Sequence, residues 1–155
     1  MYGKGWFGVL ISTKGRYALK VLADMAEHAG GGELIKLRDA AERLGLSEKY
    51  LESIVHILVE RGLLQGVRGK TGGYCFRRRP EEITVWEVLS GTEGTLAAVS
   101  CRKEDAEPCA RSAQCRALLL WIGLDDTIRA YLSSYTVADI ARMEEDIRGA
   151  EEPEP

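Results

Sequence analysis

The stretch DAAERLGLSEKYLESIVHIL, residues 39–58, is the most informative part of this 155-residue chain for predicting its fold. Its apolar residues recur at helical spacing on both sides of Gly45, a residue type favoured just past the end of a helix. Ser47 then stands where an N-cap is expected. Two helices joined by a short glycine-containing turn are typical of a helix-turn-helix, although a helical hairpin inside a bundle has the same pattern.

The residues that follow predict a β-hairpin. Alternating residues indicate strands at 64–67 and 74–77 on either side of RGKTGG. A hairpin directly after a helix-turn-helix is a wing, and Arg68, Lys70 and the run 77–79 make this one basic. A basic wing of this kind indicates a polyanionic partner, and it therefore favours a helix-turn-helix over an ordinary helical hairpin in a bundle.

Charge divides the chain into two halves, although its net charge is only −3. Residues 1–80 carry 14 Lys and Arg against 8 Asp and Glu, which gives +6. Residues 81–155 carry 7 against 16, which gives −9. The first half is therefore suited to holding phosphates, and the second half keeps the protein in solution.

The other predicted elements are helical. Ser12 or Thr13 caps a first helix, a short helix covers 85–90, and a long helix runs from about Gln114 to Ser133. Apolar residues on the long helix exceed what the rest of the chain can cover, so a second copy is the expected cover. The predicted fold is mainly α with a small β-hairpin wing: a winged helix-turn-helix domain plus a long C-terminal dimerisation helix.

Four regions follow from these elements. They are an N-terminal extension (1–11), a winged helix-turn-helix DNA-binding domain (12–80), a short helix with a cysteine loop and dimerisation helix (81–141), and an acidic tail (142–155) whose end is expected to be disordered. The chain has no long apolar run and no secretory signal, which predicts a cytoplasmic protein. Neither of its two histidines stands in a catalytic arrangement, so an enzyme is not expected.

The stretch CRKEDAEPCARSAQC, residues 101–115, holds Cys101, Cys109 and Cys115. Their spacing is not the CxxC of a thioredoxin-like couple or a zinc ribbon, and a cytosolic protein has little reason to form structural disulfides. Soft thiolates on an exposed loop suit an iron–sulfur cluster. Free or reversibly oxidised thiols and zinc remain alternatives. Cys75, on the wing, is interpreted as a small strand hydrophobe.

The motifs STKGRYAL, LGLSEKYLESIVHILVERGLL, VRGKTGGY, EEITVWEVLSGTEG and the cysteine loop followed by Trp121 occur in this order. Together they resemble the Rrf2 family of bacterial winged helix-turn-helix regulators, over about residues 10–141. That family includes the iron–sulfur assembly regulator, the nitric-oxide-sensing repressor and the cysteine-metabolism regulator. The resemblance implies homodimers that bind palindromic operators, dimerise through the long helix, and carry a [2Fe-2S] or [4Fe-4S] cluster on the three cysteines. Cluster loss or nitrosylation would then change the affinity for DNA.

The chain departs from that family at the fourth ligand of the cluster. Leu118 occupies the place of a histidine in the iron–sulfur assembly regulator, and Arg16 and Lys20 occupy the region where other members supply a carboxylate or histidine from the partner. Asp24, Glu104, Asp105 and Glu107 remain as candidates. Water, a small thiol or a group of the partner chain are further alternatives, so the fourth ligand is unknown.

Residues near the start of the second helix of a helix-turn-helix read base edges. The residues at these positions are Ser47, Lys49, Tyr50, Glu52 and Ser53. Ser47 and Tyr50 suit phosphate hydrogen bonds, whereas Glu52 could accept from a cytosine amino group. The resemblance also implies a base-reading role for Glu52. The alternative for Glu52 is a surface pair with Lys49 or His56.

The remaining candidate DNA contacts come from the wing and from the first helix. Arg68 is predicted to enter the minor groove, with Lys70 beside it and Gly69 shaping the turn. Thr13 and Lys14, at the start of the first helix, are predicted to contact phosphates. The expected function is a transcriptional regulator, a repressor or an activator, that senses iron–sulfur, redox or nitric-oxide status. The alternative keeps the DNA-binding module and makes the switch a thiol oxidation or a partner protein.

Overall fold

The computed structural model describes residues 11–29, 32–103, 107 and 109–143. Its helices and strands, in chain order, are α1 (Thr13–His28), α2 (Leu37–Leu44), α3 (Glu48–Glu60), β1 (Leu64–Val67), β2 (Gly73–Phe76), α4 (Val85–Glu93) and α5 (Leu118–Ser133). A further helix, α6, begins at residue 137 and is described as far as residue 143. This arrangement confirms the predicted fold class, a mostly helical chain with a two-stranded antiparallel hairpin. Most of the predicted N-terminal extension and acidic tail lies outside the described residues.

The helix-turn-helix consists of α2 and α3. Gly45 ends α2 in the left-handed region (φ 64°), where a side chain would be strained. Ser47 then caps α3, because its side-chain oxygen accepts the backbone N–H of Tyr50 at 3.2 Å. Both predicted boundaries are confirmed.

One hydrophobic core holds the first three helices and the hairpin together. The apolar face of α3 is fully buried through Leu51, Ile54 and Leu58, which pack with Leu22 of α1 and Leu64 of β1. Burial of a side chain of this size contributes about 1.5–3 kcal/mol. Because the inner face of α3 is fixed in this way, its outer face is left for other contacts.

A buried ion pair joins α1 to α2. Asp24 is only 5% exposed, and its two carboxylate oxygens accept from Nε and Nη2 of Arg43, each at 2.7 Å. Hydrogen bonding to Asp24 raises the pKa of Arg43. An unpaired carboxylate at this depth would be costly, so the pair fixes how α2 sits on α1.

The wing is a short hairpin with a third backbone segment beside it. β1 and β2 pair with Leu64 opposite Phe76 and Val67 opposite Gly73. Tyr74 exchanges two backbone hydrogen bonds of 2.8 Å with Ile35, which precedes α2. At the tip, Gly69 has φ 113°, a conformation that favours glycine. The segment before α2 is therefore paired with β2 near the turn of the hairpin, because Tyr74 lies opposite Gly66, one pair from the end of the strands.

The second half of the chain joins the main core through Ile83, Val88 and Val137 and has a smaller cluster of its own. Val85, Leu89 and Leu96 form a small cluster with half-buried residues of α5 and α6. The described part of α6 returns to the winged domain, where the N–H of Val137 donates to the carbonyl of Ile83 at 2.9 Å. No residue of α5 is buried. No helix among the described residues is long and apolar enough to cross a membrane.

Three predicted boundaries were wrong by a few residues. α5 begins at Leu118 and not near Gln114, because a 3₁₀ turn at Ser112–Gln114 ends in extended backbone at Cys115. α4 continues past residue 90 to Glu93, and β2 covers Gly73–Phe76 where the sequence suggested 74–77.

Candidate nucleic-acid interface and cysteine loop

The outer face of α3 presents polar side chains to solvent. Lys49, Glu52, Ser53 and His56 are all exposed. His56 pairs with Glu60, its Nε2 lying 3.3 Å from Oε1. The surface pair considered for Glu52 is not formed, and no ion pair engages Glu52 in the described part of the chain. Its carboxylate is therefore available as an acceptor.

The capping geometry determines which hydrogen-bonding atoms remain available at the start of α3. Ser47 uses its oxygen as the cap, which leaves its proton to donate. Ser53 donates to the carbonyl of Tyr50 at 2.7 Å, which leaves its oxygen to accept. Tyr50 is half-buried with its ring edge-on to Tyr17, at 5.9 Å between centroids. Tyr50 therefore has a packing role at the base of the interface in addition to its predicted phosphate contact.

The tip of the wing carries unpaired charge, whereas two of the three arginines at its base are paired. Arg68 and Lys70 are exposed and form no ion pair among the described residues. Arg78 donates to Glu87 at 2.7 Å and Arg79 to Glu82 at 2.9 Å. The basic run at 77–79 is therefore less basic than the sequence suggested, because carboxylates that follow it neutralise two of its arginines.

The start of α1 is a third exposed polar region. Ser12 is the N-cap, accepting the N–H of Gly15 at 3.3 Å, so Thr13 is the first helical residue. Thr13 and Lys14 are exposed. The Thr13 hydroxyl accepts from Nη2 of Arg16 at 3.1 Å and keeps its own proton to donate.

The three cysteines of the loop all bear free, exposed thiols. Cys101 lies in a 3₁₀ turn, Ser100–Arg102, and Cys115 directly follows the turn at Ser112–Gln114. Cys109 lies between them in irregular backbone and accepts the N–H of Ser112 at 2.9 Å through its carbonyl. None of the three is buried in apolar surroundings, the state that makes a thiol inert.

The loop cysteines have the chemistry of metal ligands but are not placed as a group. Three thiols on one polar segment are a suitable donor set for iron. In the described residues, however, no three or more Cys, His, Asp or Glu side chains lie close enough to hold an ion. Asp24 is not a free fourth ligand because Arg43 holds it, and Glu104 and Asp105 lie outside the described residues. The donors fit iron, and binding would have to draw them together.

One anchor of the cysteine loop was not apparent from the sequence. Asp125 of α5 accepts the backbone N–H of Ala98 at 3.0 Å and Nε of Arg102 at 3.1 Å. Arg102 follows Cys101 directly, so α5 holds the first end of the loop. Asp125 lies 27 residues from Ala98, and no local pattern indicates this contact.

Comparison with known proteins places these features in a family. The Rrf2 family model, described as an iron-dependent transcriptional regulator, matches residues 11–143. The chain is 37% identical to the transcriptional regulator CymR of Bacillus subtilis over 131 residues, covering 84% of this chain and 88% of CymR. It is 33% identical to IscR of Photorhabdus laumondii over 144 residues, covering 92% and 86%.

Solved structures agree. That of CymR, the global cysteine regulator of B. subtilis, has a TM-score of 0.67 at 36% identity; the match covers 86% of this chain and 96% of the CymR chain. That of T. potens IscR has a TM-score of 0.63 at 32% identity and covers 97% of both chains.

The chain belongs to the Rrf2 family of transcriptional regulators.

Membership confirms the family resemblance and the interpretation of residues 39–58 as part of a winged-helix regulator. It also confirms that no enzymatic activity is expected, since the relatives are regulators. Because the chain is similar to both CymR and IscR, family membership alone does not assign a role to the three cysteines. The boundaries of the DNA-binding domain and the individual DNA-contacting residues remain predictions.

Proposed function

We propose that this Rrf2 regulator binds a palindromic operator as a homodimer and that an iron–sulfur cluster on Cys101, Cys109 and Cys115 controls its affinity for DNA. The observation that carries the DNA-binding part is the exposed, unpaired polar surface formed by the start of α3 and the tip of the wing. Membership of a family of transcriptional regulators supports it.

The roles at this surface follow from chemistry. Lys49, Glu52 and Ser53 would reach base edges, since residues at the start of a recognition helix enter the major groove. Arg68 would enter the minor groove, where a guanidinium is favoured, with Lys70 close to the backbone. Ser47, Thr13 and Lys14 would bind phosphates, which fix the register without reading sequence.

The dimer is supported by the surface of α5. Leu119 is 82% exposed and Leu120 is 64% exposed, and Tyr131 is also exposed. Apolar side chains at this density on one helix indicate an interaction surface. A second copy would cover them with the same helix, as two-fold dimers do.

Cluster control is supported by the three exposed thiols and by the likeness to IscR and to a family described as iron-dependent. A bound cluster would supply a redox-sensitive and nitric-oxide-sensitive group. The chain would contribute the thiolates of Cys101, Cys109 and Cys115. Closing the loop around the cluster would act on α5 through the contact between Arg102 and Asp125.

A second candidate is a regulator with the same DNA-binding module and no cluster. Oxidation of its thiols, or a partner protein, would then switch its affinity for DNA. It is favoured by the absence of a preassembled metal group among the described residues and by the likeness to CymR. In this case a peroxide would oxidise one exposed thiol to a sulfenic acid by two electrons, and a second thiol would condense with it to a disulfide with loss of water, a change that a cellular thiol reductant would reverse.

The two candidates are separated by purifying the protein without oxygen and assaying iron and acid-labile sulfide. We expect the two in matching amounts, because an iron–sulfur cluster contains both. Cys109→Ala should lose both. Cys75→Ser is the matched control, because that thiol lies on β2 and should not contribute.

Iron that Cys109→Ala retains in full would contradict the ligand assignment. A protein that holds no iron or sulfide after reconstitution would contradict cluster control and leave the thiol switch. In either case the DNA-binding function would still stand.

A further inference from the structure

The N-terminus of α1 is capped by a carboxylate from a distant element. Glu93, the last residue of α4, accepts the N–H of Ser12 at 3.1 Å and the Ser12 hydroxyl at 2.9 Å, both through Oε1. The contact joins positions 81 residues apart. Ser12 in turn accepts from Gly15, so one chain of hydrogen bonds fixes the first turn of α1.

Two other helices of the chain have the same cap built locally. In α4, Glu87 bonds back to the N–H and hydroxyl of Thr84, and in α6, Asp139 does the same to Thr136. In both cases the carboxylate stands three residues after the cap, as in a capping box. In α1 that position is Gly15, which has no side chain, and Glu93 takes its place.

The position of Glu93 is unfavourable for its own helix. A negative charge in the last turn faces the negative end of the α4 dipole, where a cation would be preferred. At the start of α1 the same charge faces the positive end of a dipole and two donors. The electrostatic benefit of Glu93 therefore falls on α1.

Gly15 leaves room for this contact. A Cβ at position 15 would lie 2.2 Å from Oε1 of Glu93, closer than any real contact. Its other neighbours, side-chain atoms of Leu89 and Thr92, would lie at 3.1 and 3.2 Å and could give way slightly. Any side chain at residue 15 would thus displace the Glu93 carboxylate.

We propose that Glu93 is a positioning residue for DNA binding: it holds the first turn of α1 so that Thr13 and Lys14 meet the phosphate backbone. The inference rests on the proposed DNA-binding function. Glu93 also connects the end of α4 to the predicted DNA contacts at the start of α1. The end of α4 leads directly into the segment that holds the cysteines. Glu93 itself touches no DNA.

The test measures affinity for a DNA duplex that the wild-type protein selects from a random library, at several salt concentrations. Glu93→Ala should weaken binding by roughly tenfold and lower the slope of log affinity against log salt by roughly one phosphate contact. Glu93→Gln keeps an oxygen acceptor and should retain most of the affinity. Gly15→Ala should weaken binding in the wild type and have little further effect on Glu93→Ala.

Asp139→Ala is the matched control, because it removes the same kind of cap from α6, a helix that carries none of the predicted DNA contacts. It should lower the melting temperature and leave the salt slope unchanged. If Glu93→Ala bound the duplex as tightly as the wild type, with an unchanged salt slope, the role of Glu93 would be overturned. The DNA-binding function would still stand. An equal loss of affinity in Asp139→Ala would overturn it by showing a general effect of stability. A wild-type protein that selects no duplex would overturn the DNA-binding function and this inference with it.

Discussion

The winged domain and α5 bury their apolar residues to different degrees. In the winged domain, α3 has one face fully inside the core and one polar face outside, and both are accounted for within one chain. In α5 no residue is buried, although the helix is rich in leucine and aromatic residues. The difference indicates that the winged domain can reach its fold within one protomer, whereas the apolar side chains of α5 would be covered only in the proposed dimer.

A Leu→Ala substitution in the winged domain and one in α5 should differ most in their effect on the stability of the protomer. Leu58→Ala removes a side chain that is 1% exposed in the core and should lower the free energy of unfolding by about 2–5 kcal/mol. The loss should not depend on protein concentration. Chemical denaturation, monitored by circular dichroism, measures it.

Leu120→Ala is the matched substitution in α5. It should leave the folding of the protomer nearly unchanged and weaken the proposed dimer by about 1–3 kcal/mol for each copy of the residue, because that dimer would cover a side chain that is exposed in the protomer. Sedimentation at several concentrations measures this effect. An unchanged dimer, or a loss of protomer stability like that of Leu58→Ala, would contradict the proposed difference between the winged domain and α5.

Within the winged domain, the tip and base of the wing should differ. Arg68→Ala should cost about 1–3 kcal/mol of operator binding and relax specificity at the bases it faces. Arg78→Ala is the control, because Glu87 already holds that guanidinium. If both variants lost affinity equally, the tip would have no special role.

The smallest expected effect concerns the base of the wing and pH. Burial raises the pKa of Glu87, but hydrogen bonds from Thr84 and Arg78 outweigh it and hold that pKa below its usual value of 4.5. Its contribution to stability is therefore complete above that value and is lost as the pH falls through the lowered pKa. A carbon-13 titration of Glu87 should show the low pKa in the wild type and a higher one in Arg78→Ala. An identical pKa in both would contradict the pair.

The sequence predicted those parts of the fold that depend on local patterns. Gly45 and Ser47 marked the boundaries of the helix-turn-helix, and the bounds of β1 were correct, because capping and alternation act over a few residues. The start of α5 was misplaced because Cys115 and Leu118 continue an apolar spacing that the backbone interrupts.

Contacts between distant residues could not be predicted in the same way. Glu93 on Ser12, Arg43 on Asp24 and Asp125 on Ala98 join elements whose orientation depends on the complete core. The pairing of Arg78 and Arg79 differs from these contacts, because Glu82 and Glu87 follow closely in the sequence and could have indicated it.

Control of DNA binding by the cysteine loop is tested most directly by the operator affinity of one protein preparation in two states, with the iron–sulfur cluster reconstituted and after its removal. Because cluster binding would draw the cysteine loop together next to α5, we expect the two affinities to differ by roughly tenfold or more. Cys109→Ala should give one affinity, that of the cluster-free protein, under both treatments. Equal affinities of the loaded and the cluster-free wild type would contradict the proposal that the cysteine loop controls DNA binding.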